Sequence, residues 1–316
     1  MNRLRVVGLT KRHGRAPVLK GVSFEAAAST VVGLVGPNGS GKSTLLRLLA
    51  TVLRPSAGSI YLDDLNVLRS PHAARAHIGW VPDVFSLPPD VKVWEFLDLF
   101  AHCQGLRGRL RQSTIAEFLR LVDLFDFRFA FCASLSRGMQ QKLMLARALL
   151  HDPDLLLLDE PLAAMDPQSR LEMLEVLREL GNLGKTIVIS SSAVGELVDV
   201  CDRVGLLAAG ELTLYGSVPE LIQKLELRQR ISLQVLDEPR GAEQLLRGLD
   251  AVSDLALAGH TFSFTCAGGS DAVADLLRQL IQAGVRVVQC SSSGQPVAAS
   301  VASAARTSPS VGQLRA

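Results

Sequence analysis

Gly36-Pro37-Asn38-Gly39-Ser40-Gly41-Lys42-Ser43-Thr44 is the stretch from which the rest of the chain is read. It fits G-x-x-x-x-G-K-[ST], between a β-rich run at Val31–Val35 and a helically spaced run at Lys42–Leu53. Glycines let successive backbone N–H groups turn inward as a nest for phosphate oxygens, at the positive end of a helix. In such a loop Lys42 lies between the β- and γ-phosphates and the Ser43 hydroxyl ligates Mg²⁺. The alternative is a glycine-rich turn with an accidental lysine.

Outward from the loop, Leu155–Leu158 is a continuous apolar run fenced by Asp154 and Asp159, which predicts a strand buried on both faces. Asp159 and Glu160 at its end would then meet the phosphate loop. Asp159 is placed to hold Mg²⁺ through water, and Glu160 to orient or deprotonate a water molecule. Taken alone, the acidic pair would mark only the end of a strand.

Short apolar runs alternate with amphipathic ones from Leu4 to about Gly216, Pro167–Leu180 reading as a helix and Thr186–Ile189 as another buried strand. This pattern predicts an α/β fold with a mostly parallel, doubly covered sheet. Strand signals vanish from about 84 to 147, where a helical subdomain is inserted. After Gly216 the composition shifts, and the first domain is bounded at residues 1–222. Residues 228–291 read as β-α-β-β-α-β, a small ferredoxin-like α+β domain, and residues 292–316, rich in Ser, Ala and Gly, as a disordered tail.

The 316 residues are 48% hydrophobic and only 5% aromatic, so the core is aliphatic. Lys and Arg (33) nearly balance Asp and Glu (31), which leaves no electrostatic footprint for nucleic acid. No run approaches the roughly 18 apolar residues of a membrane span, and the first ten residues lack the apolar region of a secretory signal. The five scattered cysteines never fall in a CxxC spacing, which predicts reduced thiols in a cytosolic protein.

Leu135-Ser136-Arg137-Gly138-Met139-Gln140-Gln141-Lys142 resembles the signature motif of ABC-transporter nucleotide-binding subunits, departing from LSGGQ at Arg137 and Met139. Such variants look like exporter ATPases whose membrane subunit is a separate chain. The resemblance covers about residues 3–220. Leu19–Phe24 lies where the family's antiparallel β-subdomain does, Leu162–Asp166 falls at the D-loop, and Cys201–Val204 follows the last core strand. The resemblance implies a P-loop NTPase core binding ATP and Mg²⁺ in a head-to-tail homo- or heterodimer. In it, Ser136 and Gly138 of one subunit grip the γ-phosphate held by the loop of the other, with Asp166 beside them. It further implies a cytoplasmic protein, peripheral on the inner face of the membrane, docked on a separate transmembrane permease and driving export. Chains of the translation-factor type carry two phosphate loops, and those of the DNA-repair type long heptad segments. Neither feature occurs here.

Three positions depart from the family. His13, in Lys11-Arg12-His13-Gly14, stands where an adenine-stacking tyrosine is usual, so it either stacks more weakly or is a solvated loop histidine. Asp83 follows Ile78-Gly79-Trp80-Val81-Pro82 where a glutamine is expected, and would reach Mg²⁺ through water. Ser192 replaces the histidine that in relatives contacts the γ-phosphate and the attacking water, and no histidine lies between His151 and His260. Loss of a comparable transition-state donor slows other enzymes by roughly 10²–10³. The sequence therefore predicts firm MgATP binding with slow hydrolysis. Its other reading is a nucleotide-gated regulator that does not itself power transport.

Overall fold

The computed structural model describes residues 2–14, 16–163, 165–193, 196, 197, 200–221, 228–236, 239–267 and 269–293. The chain divides into two compact units, Met1–Gly216 and the residues from Ser217 onward.

The first unit holds two sheets. Strands β1 (Asn2–His13), β2 (Ala16–Ala27), β4 (Ala57–Leu62) and β5 (Leu65–Asn66) form an antiparallel sheet in the order β2-β1-β4-β5. Leu4, Val6, Val22, Phe24, Ile60 and Leu62 are buried from it, and the residues between them face outward. Strands β3 (Val31–Val35), β6 (Ile78–Val81), β7 (Leu155–Leu158), β8 (Thr186–Ser191), β9 (Arg203–Ala208) and β10 (Glu211–Ser217) form the second sheet, ordered β10-β9-β3-β8-β7-β6. Its β3, β6, β7, β8 and β9 run parallel. Every residue of β3, β7 and β8 is buried, which explains why Val31–Val35, Leu155–Leu158 and Ile187–Ile189 read as apolar runs rather than alternating ones. Leu45, Leu46, Leu48 and Leu49 of helix α1 (Lys42–Leu49) join both sheets in one apolar cluster with Leu4, Leu34, Leu157 and Val188.

After α2 (Pro71–Arg75) come the helices of the expected insert, α3 (Val93–Cys103), α4 (Gly108–Leu121) and α5 (Arg137–Leu149), then α6 (Pro167–Asn182). Parallel strands place their carboxyl ends along one edge, so the residues after β3, β6, β7 and β8 converge there. Register sharpens this: Val35 is level with Ser191, Val81 with Leu158, and Leu158 with Ile189. Gly36, Asp83, Asp159 and Ser192 therefore meet because of strand order, though they are far apart in sequence.

The second unit has strands β11 (Arg228–Val235), β12 (Val252–Ala258), β13 (Thr261–Ala267) and β14 (Val287–Ser293), with helices α7 (Pro239–Arg247) and α8 (Gly269–Gln282) between them. The antiparallel order β12-β13-β11-β14 is the ferredoxin-like arrangement expected from the sequence. Ile231, Leu233, Phe262, Phe264, Leu246, Leu276 and Leu280 make its core. One boundary needs correction: β14 reaches Ser293, two residues into the stretch predicted to be a disordered tail. Ser291, Ser292 and Ser293 pair with Ser232, Ile231 and Arg230, and a ladder uses backbone groups that serines supply as well as valines. The rest of that predicted tail lies outside the described residues. Among the described residues no helix is long and apolar enough to cross a membrane.

Candidate nucleotide site

Helix α1 begins immediately after Gly41, whose φ of 109° is a conformation L side chains rarely adopt. Gly36 is fixed by space instead, since a Cβ there would collide with the Leu207 carbonyl oxygen. The loop folds around Lys42, which is 5% exposed. Its ammonium donates to the Gly36 carbonyl at 2.7 Å and the Pro37 carbonyl at 3.4 Å, and pairs with Glu160 Oε1 at 3.2 Å. A buried ammonium needs such acceptors, and all of them lie at the loop's rim.

Asp159 is fully buried. Its Oδ1 accepts from Ser43 Oγ at 3.1 Å and Ser190 Oγ at 2.8 Å, whereas its Oδ2 is buried without a partner. Burial pushes this carboxyl above the ordinary aspartate range; the two hydroxyl bonds oppose that shift and the nearby Asp83 carboxylate reinforces it. An orphaned carboxylate oxygen beside a serine hydroxyl and a second carboxylate is a hard-oxygen donor set, which suits Mg²⁺. The residues present fit that ion.

Glu160 has φ 47°, the left-handed region that a non-glycine residue enters at a cost. Its backbone N–H donates to Ser190 Oγ at 2.9 Å, and its Oε2 accepts the Ser192 N–H at 3.1 Å. Position 192 thus faces Glu160 with its backbone.

Asp159 and Ser190 lie buried behind an open cleft of about 440 Å³ that Lys42, Ser43, Glu160 and Ser192 help to line. Asn38, Gly39, Gly41, Lys42, Ser43 and Thr44 form one wall, while Asp83, Glu160 and Ser192 bring in the strand ends. Val18 and Ala163 add apolar contact that the sequence reading did not foresee, and Ser190 was missed as well. Ser190 sits in Ser190-Ser191-Ser192, where no local pattern marks one hydroxyl over the next.

The ABC transporter family profile matches residues 19–163. Nod factor export ATP-binding protein I of Ralstonia nicotianae is 38% identical over 222 residues, which span 69% of this chain and 68% of that protein. The linearmycin resistance ATP-binding protein of Bacillus subtilis is 30% identical over 254 residues, 80% of this chain and 82% of that protein. Among solved structures, an ATP-binding subunit of an ABC transporter aligns with a TM-score of 0.63 at 27% identity, over 70% of this chain and 92% of that one. A dimeric ATP-binding cassette in a post-hydrolysis state with ADP and Pi gives a TM-score of 0.63 at 26% identity, over 68% of this chain and 98% of that one. The chain belongs to the ABC transporter family.

Members of this family are nucleotide-binding ATPases. The remaining predicted site residues of the ABC cassette lie away from the cleft lining. Ser136 caps α5, its Oγ accepting the Met139 N–H at 3.2 Å. Gly138 is buried against α6, where a Cβ would come within 3.0 Å of Ser169. Asp166 caps α6, taking the Ser169 N–H at 3.0 Å and the Ser169 hydroxyl at 2.6 Å. The α5 and α6 starts therefore touch, and Ser136 and Asp166 stand at the heads of two adjoining helices. Arg137 reaches back to the Asp83 carbonyl at 3.3 Å and lies over the Phe85 ring at 4.9 Å. His13 is exposed at the end of β1, paired with Ala16 in the ladder.

Proposed function

We propose that this ABC cassette, carried by residues 1–222, binds and hydrolyses MgATP in a head-to-tail homo- or heterodimer. It would work on the cytoplasmic face of the membrane and drive solute export through a separate permease. The observation that carries the reading is the buried Asp159, with one oxygen tied to Ser43 and Ser190 and the other buried without a partner, next to a cleft that Ser43, Lys42 and Glu160 line. Relatives named for Nod factor export and for linearmycin resistance favour export.

Mg²⁺, when bound, would neutralise charge on the phosphate oxygens, and Ser43, Asp159 and Asp83 would hold it. Backbone amides of Asn38, Gly39 and Gly41, with Thr44, cradle the phosphates, and Lys42 supplies a fixed positive charge. Glu160 orients or deprotonates the attacking water, its carboxylate aimed by the Ser192 N–H. Ser136 and Gly138 of a second subunit close the site from across the interface, where the positive end of a helix suits an anion. Loss of the γ-phosphate removes those contacts and lets the dimer open. The helical insert near Asp83 would receive a cytoplasmic helix of the permease, and residues 228–291 would support or regulate the dimer. Removing residues after about 225 should then weaken ATP-driven dimerisation.

Calorimetry with MgATP tests the core of this reading, since absence of binding by folded protein overturns it. Co-purification with a polytopic membrane partner tests the rest.

Ser192 favours a second reading, a slow regulator. Turnover with and without the permease, compared with Ser192→His, separates the two. Wild-type turnover at ordinary exporter rates removes the regulator. A rise of roughly 10²–10³ in Ser192→His marks the native chain as tuned down.

A further inference from the structure

We propose that Ser190 is a positioning residue that sets Asp159 and Glu160 together through one hydroxyl. The inference rests on the MgATP reading above and adds to it a residue outside those given a role in binding or hydrolysis there. Ser190 is 1% exposed, at the cleft end of β8, and the pairing of Leu158 with Ile189 brings it level with Asp159. A serine hydroxyl has one proton to give and lone pairs to receive. Here the proton goes to Asp159 Oδ1 at 2.8 Å and a lone pair receives the Glu160 N–H at 2.9 Å. Two consecutive acidic residues are thus indexed to one atom.

Each bond has its own consequence. With Ser43 and Ser190 both on Oδ1, the Asp159 carboxylate is turned so that Oδ2 is the buried oxygen left without a protein partner. With its N–H held, Glu160 keeps the left-handed backbone that carries its side chain to the Lys42 ammonium and the Ser192 N–H. Alanine at 190 would leave a buried N–H orphaned and free the carboxylate to rotate. The bond also explains how a chain without a histidine at 192 still fixes its general-base candidate: the hold comes from backbone and from the serine two positions earlier.

The test uses the full chain as wild type, Ser190→Ala and Ser190→Thr. Two quantities are read: the Mg²⁺ concentration giving half-maximal ATP binding by calorimetry, and kcat and KM for ATP. In Ser190→Ala the Mg²⁺ requirement should rise several-fold and kcat fall roughly tenfold or more, with KM for ATP nearly unchanged. Ser190→Thr, which keeps the hydroxyl, should restore both. In a Glu160→Gln background Ser190→Ala should cost no further turnover while its Mg²⁺ effect persists, a pattern that general loosening would not produce. The positioning role is overturned if wild type shows Mg²⁺-dependent ATP binding and Ser190→Ala matches it in Mg²⁺ requirement and kcat. It is equally overturned if Ser190→Thr, melting like wild type, behaves as the alanine variant does. A wild-type chain that binds no ATP at any Mg²⁺ concentration overturns the MgATP reading itself.

Discussion

The six-stranded sheet of the first unit and the four-stranded sheet of the second treat polar residues in opposite ways. In the first, β3, β7 and β8 are covered on both faces, and their buried polar residues lie at strand ends, Thr186 where β8 begins and Asp159, Ser190 and Ser191 at the carboxyl ends, each hydrogen-bonded. In the second, buried Ile231, Leu233 and Val235 alternate with Ser232 and Gln234, and buried Phe262 and Phe264 with half-buried Thr261, Ser263 and Thr265. A polar residue in a doubly covered strand must justify its desolvation with a partner or a ligand, whereas one on a half-covered sheet needs neither. The contrast separates a sheet whose strand ends hold buried, partnered polar groups from one whose order follows apolar packing.

Substitutions in the two sheets put that contrast to the test. The largest effect is expected from Glu160→Gln, with single-turnover phosphate release falling roughly 10²–10⁴-fold while ATP still binds. Retained turnover would place the water-activating group elsewhere. Next comes Phe264→Ala, which empties a fully buried position and should destabilise the second unit by about 3–5 kcal/mol in denaturant unfolding, leaving MgATP affinity of the first unit unchanged. A parallel loss of affinity would show that the apolar unit contributes to the chemistry. Lys42→Ala removes charge-assisted contacts to phosphate and should weaken MgATP binding on the order of 100-fold by calorimetry. The smallest effect is expected from Ser232→Ala, the counterpart of Ser190→Ala on the half-covered sheet, at roughly 0.5 kcal/mol or less in unfolding. Equal effects at 190 and 232 would dissolve the distinction between the two sheets.

The same contrast explains what could be read before any fold was known. The phosphate loop was legible because Gly36, Gly39 and Gly41 answer backbone demands that no other residue meets, and Asp159–Glu160 because a doubly buried strand leaves an unmistakable run of leucines. Ser190 was not legible. In Ser190-Ser191-Ser192 nothing local says which hydroxyl is level with Asp159, and only the β7–β8 register decides. Val18 escaped for a similar reason, since reaching the cleft depends on how the antiparallel sheet stands beside the loop rather than on its own neighbours. In the second unit the βαββαβ order was readable from alternation, yet the end of β14 was not, because the serines that extend it have no hydrophobic periodicity.

The left-handed backbone at Glu160 has a consequence for the history of such a protein. Glycine would sit there with less strain, so the ground state carries a small burden at the position on which the chemistry depends. Variants chosen for heat resistance alone would be drawn toward silencing this residue, and only selection that also demands turnover would keep the carboxylate in place.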